Sequence, residues 1–240
     1  YAVNYNTHNF IYIAIRRPMK TPESGTEVFS PIAATSTPPT STSTVGFPAD
    51  LLLQGFRTYG ISARTNTRLT GGSAYLETAN TASEATGFGS EWDLQDDYAQ
   101  ASGISTGIIS WFFKRATGFM DVVAYTGTGV SGATNSHNLG VAPELMVLKP
   151  RDAAGTWWVY NSDVWTGAGG ASLSQFTTVP FNQSNSLILD NTAPTATEFT
   201  VGASGWGTND ANATYIAYLF ATVAGVSKVG SYTGTGADLN

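Results

Sequence analysis

The sequence lacks cysteine altogether and holds only two histidines among its 240 residues. Disulfide bonds and thiolate metal sites are therefore excluded, so packing and contacts between chains must stabilise the fold. Charged residues are also scarce, at 12%, which is about half the usual share of a soluble domain. The formal net charge of −6 provides no basic surface for phosphates. We therefore expect no nucleic-acid partner.

Long apolar runs are missing too. No stretch approaches the roughly 20 residues that a membrane-spanning helix needs, and the N-terminus lacks the basic and apolar regions of a secretory signal. We expect no membrane insertion and no targeting signal. Helical periodicity is nearly absent as well, and only residues 91–101 are predicted to hold a helical turn.

What the sequence does contain is a repeat. Three apolar segments resemble one another, namely Ile11–Ile15, Ile108–Phe113 and Tyr215–Phe220. The second and third are followed by related segments at 121–129 and 228–236, and both of these end in Tyr-Thr-Gly-Thr-Gly. Self-similarity over a long separation indicates a duplicated structural unit. We call the three apolar segments closing strands.

A second pair of segments extends the match. Gly46–Leu53 and Gly140–Leu148 each contain a turn with glycine and proline, an acidic residue and a short apolar run. Each unit therefore reads as turn, buried strand, variable middle and closing strand. This pattern predicts two units, at residues 1–126 and 127–240.

Both chain ends fall inside a repeat. Residues 1–20 are interpreted as completing a preceding repeat, and residues 228–240 as opening a following one. The sequence is thus expected to be a window from a longer array. Residues 31–44 are rich in serine, threonine and proline, a composition that predicts a surface loop or a linker between units.

Short runs of β-branched and aromatic residues, bounded by turn formers, predict strands. The clearest of these predicted strands in the second half are Met146–Leu148, Trp157–Tyr160, Leu187–Leu189, Glu198–Val201 and Tyr215–Phe220. Many short strands separated by frequent turns are typical of antiparallel sandwiches and barrels. We predict an all-β fold of tandem antiparallel β-sandwich units, of the jelly-roll or concanavalin-like kind.

Two glycine motifs match known dinucleotide-binding and hydrolase motifs, but the surrounding sequence does not predict the structures that those motifs need. Residues 127–132 fit G-x-G-x-x-G, but no helix is predicted after them to meet a dinucleotide phosphate, so a glycine-rich hairpin turn is the better interpretation. Residues 103–107 fit G-x-S-x-G around Ser105, and Asp121 and His137 follow in the order of an α/β-hydrolase triad. That motif needs a strand-to-helix turn on a parallel sheet, and a polar turn is favoured instead.

Acidic residues offer two further hypotheses. Asp93, Asp96 and Asp97 could supply oxygens to a cation such as calcium, but their spacing lacks the glycine and the distal glutamate of an EF-hand. A glycoside hydrolase would need two carboxylates facing each other. The acids of the second half are dispersed, and they are Glu144, Asp152, Asp163, Asp190 and Glu198.

Tryptophans are the remaining candidates for binding. Trp157 and Trp158 are adjacent, so on a strand they must point to opposite faces, and one of them is expected to be exposed. Trp165 and Trp206 lie in glycine-rich segments. Aromatic faces in loops suit stacking on sugar rings or burial in an interface with a partner. Ordinary packing is the competing interpretation.

Several of these segments together resemble a repeat of virion structural proteins of tailed bacteriophages, especially marine ones. The segments are Asp121–Gly129, His137–Lys149 and Tyr215–Phe220, with Tyr12–Lys20 and Ile108–Arg115 as further copies of the closing strand. The resemblance covers most of the chain and transfers no catalytic residues. It implies a tail-fibre, appendage or capsid-associated component in an extracellular virion.

The interpretation that follows is a non-catalytic virion structural protein without cofactor or bound metal. The resemblance implies other virion proteins as partners and a homo-oligomer, with a trimer as one option. The alternative is a module that binds a host-surface glycan or receptor through Trp157, Trp158, Trp165 or Trp206. A glycoside hydrolase comes third.

Overall fold

The computed structural model describes residues 19–33, 42–57, 60, 62–87, 90–92, 97–100, 107–165, 172–175, 183–184, 188–205 and 207–232. Ser105, Trp206 and the first closing strand, Ile11–Ile15, lie outside these residues. In the described residues no helix is long and apolar enough to cross a membrane.

Regular structure in the described ranges is β-strand, apart from two single-turn 3₁₀ helices at Gly25–Glu27 and Arg68–Thr70. The strands are β1 (Phe29–Ala33), β2 (Thr42–Thr44), β3 (Leu51–Phe56), β4 (Arg64–Thr67), β5 (Leu76–Glu77), β6 (Ser90–Glu91), β7 (Asp97–Gln100), β8 (Ile108–Phe113), β9 (Met120–Thr126), β10 (Ala133–Ser136), β11 (Leu145–Pro150), β12 (Trp158–Asn161), β13 (Ser172–Gln175), β14 (Gln183–Ser184), β15 (Glu198–Val201) and β16 (Thr214–Phe220). Their pairings are antiparallel. The predicted all-β class with antiparallel sheets is confirmed.

Two large sheets dominate. The N-terminal sheet has five strands in the order β1-β8-β3-β4-β5, and the C-terminal sheet has six in the order β9-β16-β11-β12-β13-β14. In both, the first strand in the chain is the edge strand, the last lies beside it, and the others follow in chain order. Two smaller sheets, β10-β15 and β2-β7-β6, complete the described pairing.

The two sheets also share a register. Leu51 pairs with Phe113 in the N-terminal sheet, and Leu145 pairs with Phe220 in the C-terminal sheet. These are the residues that the sequence match places in correspondence. The preceding acidic residue bonds alike in both sheets, since Asp50 N donates to Phe113 O at 2.8 Å and Glu144 N donates to Phe220 O at 2.9 Å.

The edge of each sheet repeats this correspondence. Lys114 N donates to Val28 O at 2.9 Å, and Ala221 N donates to Phe119 O at 3.0 Å. Each contact joins the residue after a closing strand to the residue before an edge strand. The first and last strands of both sheets are therefore held by equivalent backbone contacts.

In both edge strands, the same outward-pointing position has no N–H available for pairing with another strand. In an antiparallel pair, N–H groups alternate between facing the partner strand and facing away from it. The contacts to Val28 and Phe119 put Pro31 of β1 and Val122 of β9 at the second outward position of each strand. Proline has no N–H, and Val122 N donates to the side-chain Oδ1 of Asp121 at 2.9 Å. Neither edge leaves a free donor at this point.

The core lies in three layers. A cluster between the two large sheets includes Leu51, Leu76, Met120, Val147, Trp157, Val159, Ile216 and Tyr218. The other face of the C-terminal sheet packs against β15 and the residues before it through Met146, Leu148, Trp158, Ile188, Phe199 and Leu219. The outer face of the N-terminal sheet carries Phe47, Leu52, Trp92 and Phe112. The C-terminal sheet is therefore covered on both faces, which explains why β16 is buried almost continuously.

Three local predictions are wrong. The predicted strand Leu187–Leu189 is a turn at Ile188 and Leu189, where positive φ angles at Asp190 and Asn191 reverse the chain. The predicted helical turn over 91–101 is contradicted where it is described, since Glu91 ends β6 and Asp97–Gln100 is β7, and residues 93–96 and 101 lie outside the described residues. Residues 31–33 belong to β1 and 42–44 to β2, so the predicted loop at 31–44 is shorter than expected.

The pairing bears on the predicted boundary between 126 and 127. β9 ends at Thr126 yet pairs along its length with β16, from Met120 opposite Phe220 to Thr126 opposite Thr214. By hydrogen bonding, β9 therefore belongs with the residues that follow it.

Candidate functional site

The adjacent tryptophans point to opposite faces, as predicted, but neither is exposed. Trp157 is 4% exposed within the layer between the two sheets, and Trp158 is 8% exposed within the layer on the other face. The prediction that one of the pair is exposed is wrong, because both faces of the C-terminal sheet are covered. Neither ring presents a face on which a sugar could stack.

Trp165 lies shortly after the end of β12. Its ring is partly buried and tilted against the ring of Tyr160, with centroids 5.2 Å apart. Trp165 thus packs on the outer core layer, and the structure does not bring it beside Trp157. Trp206 lies outside the described residues.

An apolar cavity of about 270 Å³ lies beside Trp157, between the two sheets. Leu53 lines it from the N-terminal sheet, and Val147, Tyr218 and Phe220 line it from the C-terminal sheet. The rings of Trp157 and Tyr218 are nearly parallel, with centroids 6.4 Å apart. Thr65 Oγ1 donates to the Tyr218 hydroxyl at 3.4 Å, and burial raises the pKa of Tyr218. No charged side chain lines this cavity, so it offers apolar contact rather than acid–base chemistry.

An ion pair joins the two sheets at the rim of this layer. Arg151 Nε and Nη2 donate to the two carboxylate oxygens of Glu84, each at 2.8 Å. Glu84 N donates to Arg151 O at 2.7 Å. The hydrogen bond that Arg151 donates to Glu84 raises the pKa of Arg151. A bidentate pair with an added backbone bond fixes both the distance and the angle between its partners.

The segment that contains Glu84, residues 78–85, forms what we call the connecting loop. Thr81 O accepts from Gly155 N at 2.8 Å, and Asn80 O accepts from Trp157 Nε1 at 3.0 Å. A loop of the N-terminal sheet therefore satisfies polar groups at the turn between β11 and β12. The indole N–H of a buried tryptophan needs such a partner, which explains the position of Trp157.

Lys149 is fully buried beneath the connecting loop. Its Nζ donates to Pro150 O at 3.0 Å and to Thr81 O at 3.4 Å, and lies 5.9 Å from the centre of the Trp157 ring. Burial lowers the pKa of Lys149 to about 8. Among the described residues no carboxylate lies within ion-pairing distance of Nζ. Among the described residues, its hydrogen-bond acceptors are the carbonyl oxygens of Pro150 and Thr81.

Sequence reasoning missed Lys149, Arg151 and Glu84. Lys149 lies two positions after Val147 on β11, so both side chains point to the same face, toward the N-terminal sheet. This spacing is a signal in the sequence of an inward-pointing cation. Its acceptor in the connecting loop is 68 residues away in sequence. No local sequence pattern predicts a contact over that separation. The same holds for the contact between Arg151 and Glu84.

The hydrolase triad is not formed by its described members. The buried Asp121 pairs with Arg115 and accepts hydrogen bonds from Val122 N at 2.9 Å and Asn138 N at 2.6 Å. Asp121 therefore orients backbone and a guanidinium, where a triad would need it to orient the histidine.

His137 has partners of its own. Its Nδ1 accepts from Leu139 N at 3.2 Å, so its Nε2 carries the proton and donates to Thr195 O at 3.1 Å. Burial lowers the pKa of His137. The imidazole is a neutral structural group that joins the loop after β10 to the loop before β15.

The G-x-G-x-x-G segment is a turn, as predicted, but it does not form a hairpin, because β9 and β10 pair with different strands. Gly129 and Gly132 have positive φ angles of 75° and 80°. Asn209 clamps the turn by accepting from Thr128 N at 2.7 Å and donating to Val130 O at 2.8 Å. The glycines serve local packing.

The dispersed carboxylates bond mainly to neighbouring chain segments. Glu144 accepts from Thr222 Oγ1 at 2.5 Å, Asp152 from Thr214 N at 2.8 Å, and Asp190 from Ser131 Oγ at 2.7 Å. Within the part of the chain that the structure describes, no group of three or more histidine and acidic residues is placed to hold a metal ion. Asp93 and Asp96 lie outside that part, and only the backbone of Asp97 is described.

Comparison with known proteins gives a family and nothing beyond it. No curated protein and no solved structure matches the chain significantly. One family model, described as a domain of unknown function, DUF7483, matches residues 91–240. The match spans β7 to β16, including the whole C-terminal sheet. Because it covers well over half of the sequence, the chain belongs to the DUF7483 family.

Proposed function

We propose that this chain is a non-catalytic structural protein of a tailed-phage virion, built from tandem β-sheet units that stack face to face as a sandwich. One observation carries the proposal: two sheets with the same strand order place corresponding residues in the same register, with equivalent contacts at Asp50 and Glu144. Duplication of one unit accounts for this correspondence without further assumptions.

The way in which the two halves meet supports a load-resisting role. An apolar layer between the sheets is bordered by the Arg151–Glu84 pair and by the bonds of the connecting loop. Domains that move against one another usually meet through smaller and more polar interfaces. The halves are therefore expected to behave as one rigid rod segment.

The chemistry of the described residues favours this proposal over its two rivals. Trp157 and Trp158 are buried and offer no stacking surface to a glycan. The carboxylates of Glu144, Asp152 and Asp190, which a glycoside hydrolase could use, accept hydrogen bonds from neighbouring chain segments. The assignment to a virion rests on the sequence resemblance given above, with other virion proteins as partners and a homo-oligomer as the expected state.

The direct test uses particles from cells that carry the gene for this chain. Purified particles should contain the chain at a constant ratio to the major capsid protein by quantitative mass spectrometry, and gold-labelled antibodies should mark one site on them. Particles made after deletion of the gene serve as the control. Absence of the chain from intact particles would overturn the proposal. Retention of the recombinant chain on a glycan array would favour the receptor-binding alternative.

A further inference from the structure

The apolar cavity between the two large sheets is larger than a well-packed layer would leave. Its volume is about 270 Å³, whereas protein interiors hold few voids larger than a water molecule. An engineered cavity of about 150 Å³, lined by leucine, isoleucine and phenylalanine, stays dry and binds benzene. The cavity in this protein therefore has room for a molecule larger than benzene, with about two fused six-membered rings.

The two sheets line the cavity with corresponding residues. Leu51 of β3 and Leu145 of β11 occupy matching register positions in their sheets, and both line the cavity. Leu53 and Val147, two positions further along the same strands, line it as well. Since both central strands contribute to the wall, a molecule in the cavity touches both sheets at once.

The hydroxyl groups of the lining residues already have partners. Thr65 Oγ1 donates to the Tyr218 hydroxyl at 3.4 Å, and Thr78 Oγ1 donates to Ala63 O at 3.2 Å. Among the described residues that line the cavity, none is charged. A buried water needs two to four polar partners, and a charged ligand would lose its hydration without compensation. The lining therefore favours an uncharged, apolar ligand.

Aromatic rings form part of the wall. Trp157, Tyr218 and Phe220 line the cavity, and an aromatic ligand gains offset or edge-to-face contacts with such rings in addition to the burial of its surface. Leu53, Leu145 and Phe220 are only partly buried. Because these apolar side chains still meet solvent, a small molecule can reach the cavity from solution.

We propose that this cavity is a binding site for a small, uncharged aromatic hydrocarbon of about two fused rings. The inference depends on the volume, the uncharged lining and the aromatic wall, and it is independent of the virion role. Because the site is made by both sheets, its ligand binds the folded chain and not the unfolded one. Binding should therefore stabilise the contact between the sheets by mass action.

The first test adds naphthalene to the wild-type chain and follows the methyl groups of leucine and valine by carbon–proton correlation NMR. The signals of Leu53 and Val147 should shift and reach a plateau as the naphthalene concentration rises. Leu148 and Leu189 belong to the core layer on the other face of the C-terminal sheet, so their signals should stay in place. A naphthalene that carries a sulfonate at each end is the control ligand, and it should cause no shift.

The second test fills the cavity. Leu53→Trp places a larger side chain in the wall, and Leu69→Trp is the matched control, because Leu69 is 45% exposed and lies outside the cavity lining. Naphthalene should raise the midpoint of thermal unfolding of wild type and Leu69→Trp by an amount that grows with its concentration. The midpoint of Leu53→Trp should not change. If Leu53→Trp does not fold, the methyl titration of wild type decides the proposal by itself.

The absence of a saturable shift at Leu53 and Val147 would overturn the proposal. Shifts of equal size in both core layers would also overturn it, because they would indicate non-specific association, and so would equal stabilisation of Leu53→Trp and wild type. Binding of the disulfonate at the same methyl groups would contradict the assigned class of ligand. Absence of the chain from virions would leave all these results unaffected, so the two proposals fail separately.

Discussion

Arg151 and Glu84 meet through two parallel hydrogen bonds of 2.8 Å each, and this contact ties the end of β11 to a loop of the other large sheet. Both side chains are largely shielded, at 21% and 17% exposed. Shielding reduces screening by salt and makes the pair worth more than a surface ion pair. The two sheets are thus coupled by charge as well as by their apolar layer.

We expect Arg151→Ala and Glu84→Ala each to lower the free energy of unfolding, and the double variant to lower it by less than the sum. The coupling energy should be about 1–2 kcal/mol for a bidentate, partly buried pair. Urea denaturation of the four proteins measures it. The exposed pair of Lys20 and Glu23 is the control, and a full double-variant cycle there should give a coupling near zero. Strict additivity at Arg151 and Glu84 would show that the contact does not couple the sheets.

Lys149→Met should stabilise the protein at neutral pH. The lysine is held by carbonyl oxygens, and replacing a buried ion with an apolar side chain of similar length removes a desolvation cost. The expected gain in the free energy of unfolding is about 1–2 kcal/mol. Lys228→Met, at an exposed position, should leave stability unchanged. A Lys149→Met protein less stable than wild type would mean that the carbonyl contacts outweigh desolvation.

The same lysine predicts a dependence on alkaline pH. Because burial lowers the pKa of Lys149 to about 8, from roughly 10.5 in the unfolded chain, the unfolded state binds more protons between these values. The stability of the wild type should therefore rise from about pH 8 to about pH 10.5 relative to that of Lys149→Met. A constant difference between the two unfolding curves across this range would contradict the assignment.

His137 predicts the behaviour in mild acid. Its pKa is lowered by burial, and protonation at Nδ1 would oppose the bond from Leu139 N. The contribution of His137 to stability is present above the unfolded pKa of about 6.5 and declines as the pH falls below it toward the lower folded value. His137→Gln should flatten this part of the profile measured by thermal unfolding.

Gly127→Ala should destabilise the turn after β9 through a steric clash. An added Cβ would overlap the Asp210 carbonyl oxygen and lie 2.9 Å from the Asn209 carbonyl carbon, and backbone cannot move aside as a flexible side chain would. We expect a loss of about 1–3 kcal/mol in the free energy of unfolding, as for other overpacked sites. Gly25→Ala is the matched control, since nothing lies within 4 Å of its added Cβ. Equal effects at the two positions would refute the packing argument.

The strands could be predicted where the apolar pattern of the sequence agrees with the burial of the residues in the structure. β8 and β16 follow from apolar length and residue type, and their correspondence follows from comparison of the sequence with itself. Leu187–Leu189 has the same composition as a strand, yet Ile188 and Leu189 fill the outer core layer from a turn. A short apolar run predicts that its residues are buried, but it does not determine whether their backbone forms a strand or a turn.

The candidate site was harder to predict because its contacts are distant in sequence. The neighbouring positions of Trp157 and Trp158 correctly gave opposite faces, but exposure depends on what covers each face. Only the tertiary arrangement places the connecting loop over Trp157 and β15 over the opposite face. Lys149 was readable as an inward cation on β11, whereas its acceptor Thr81 was not.

The blocked amides of the two edge strands limit how another chain can pair along them. Pro31 and the Asp121-capped Val122 each remove one outward donor with which a foreign strand could pair along the edge of the sheet. Aggregation through edge-to-edge pairing of strands is thereby disfavoured at high local concentration. At these positions an open sheet edge can therefore stay unpaired without recruiting another chain.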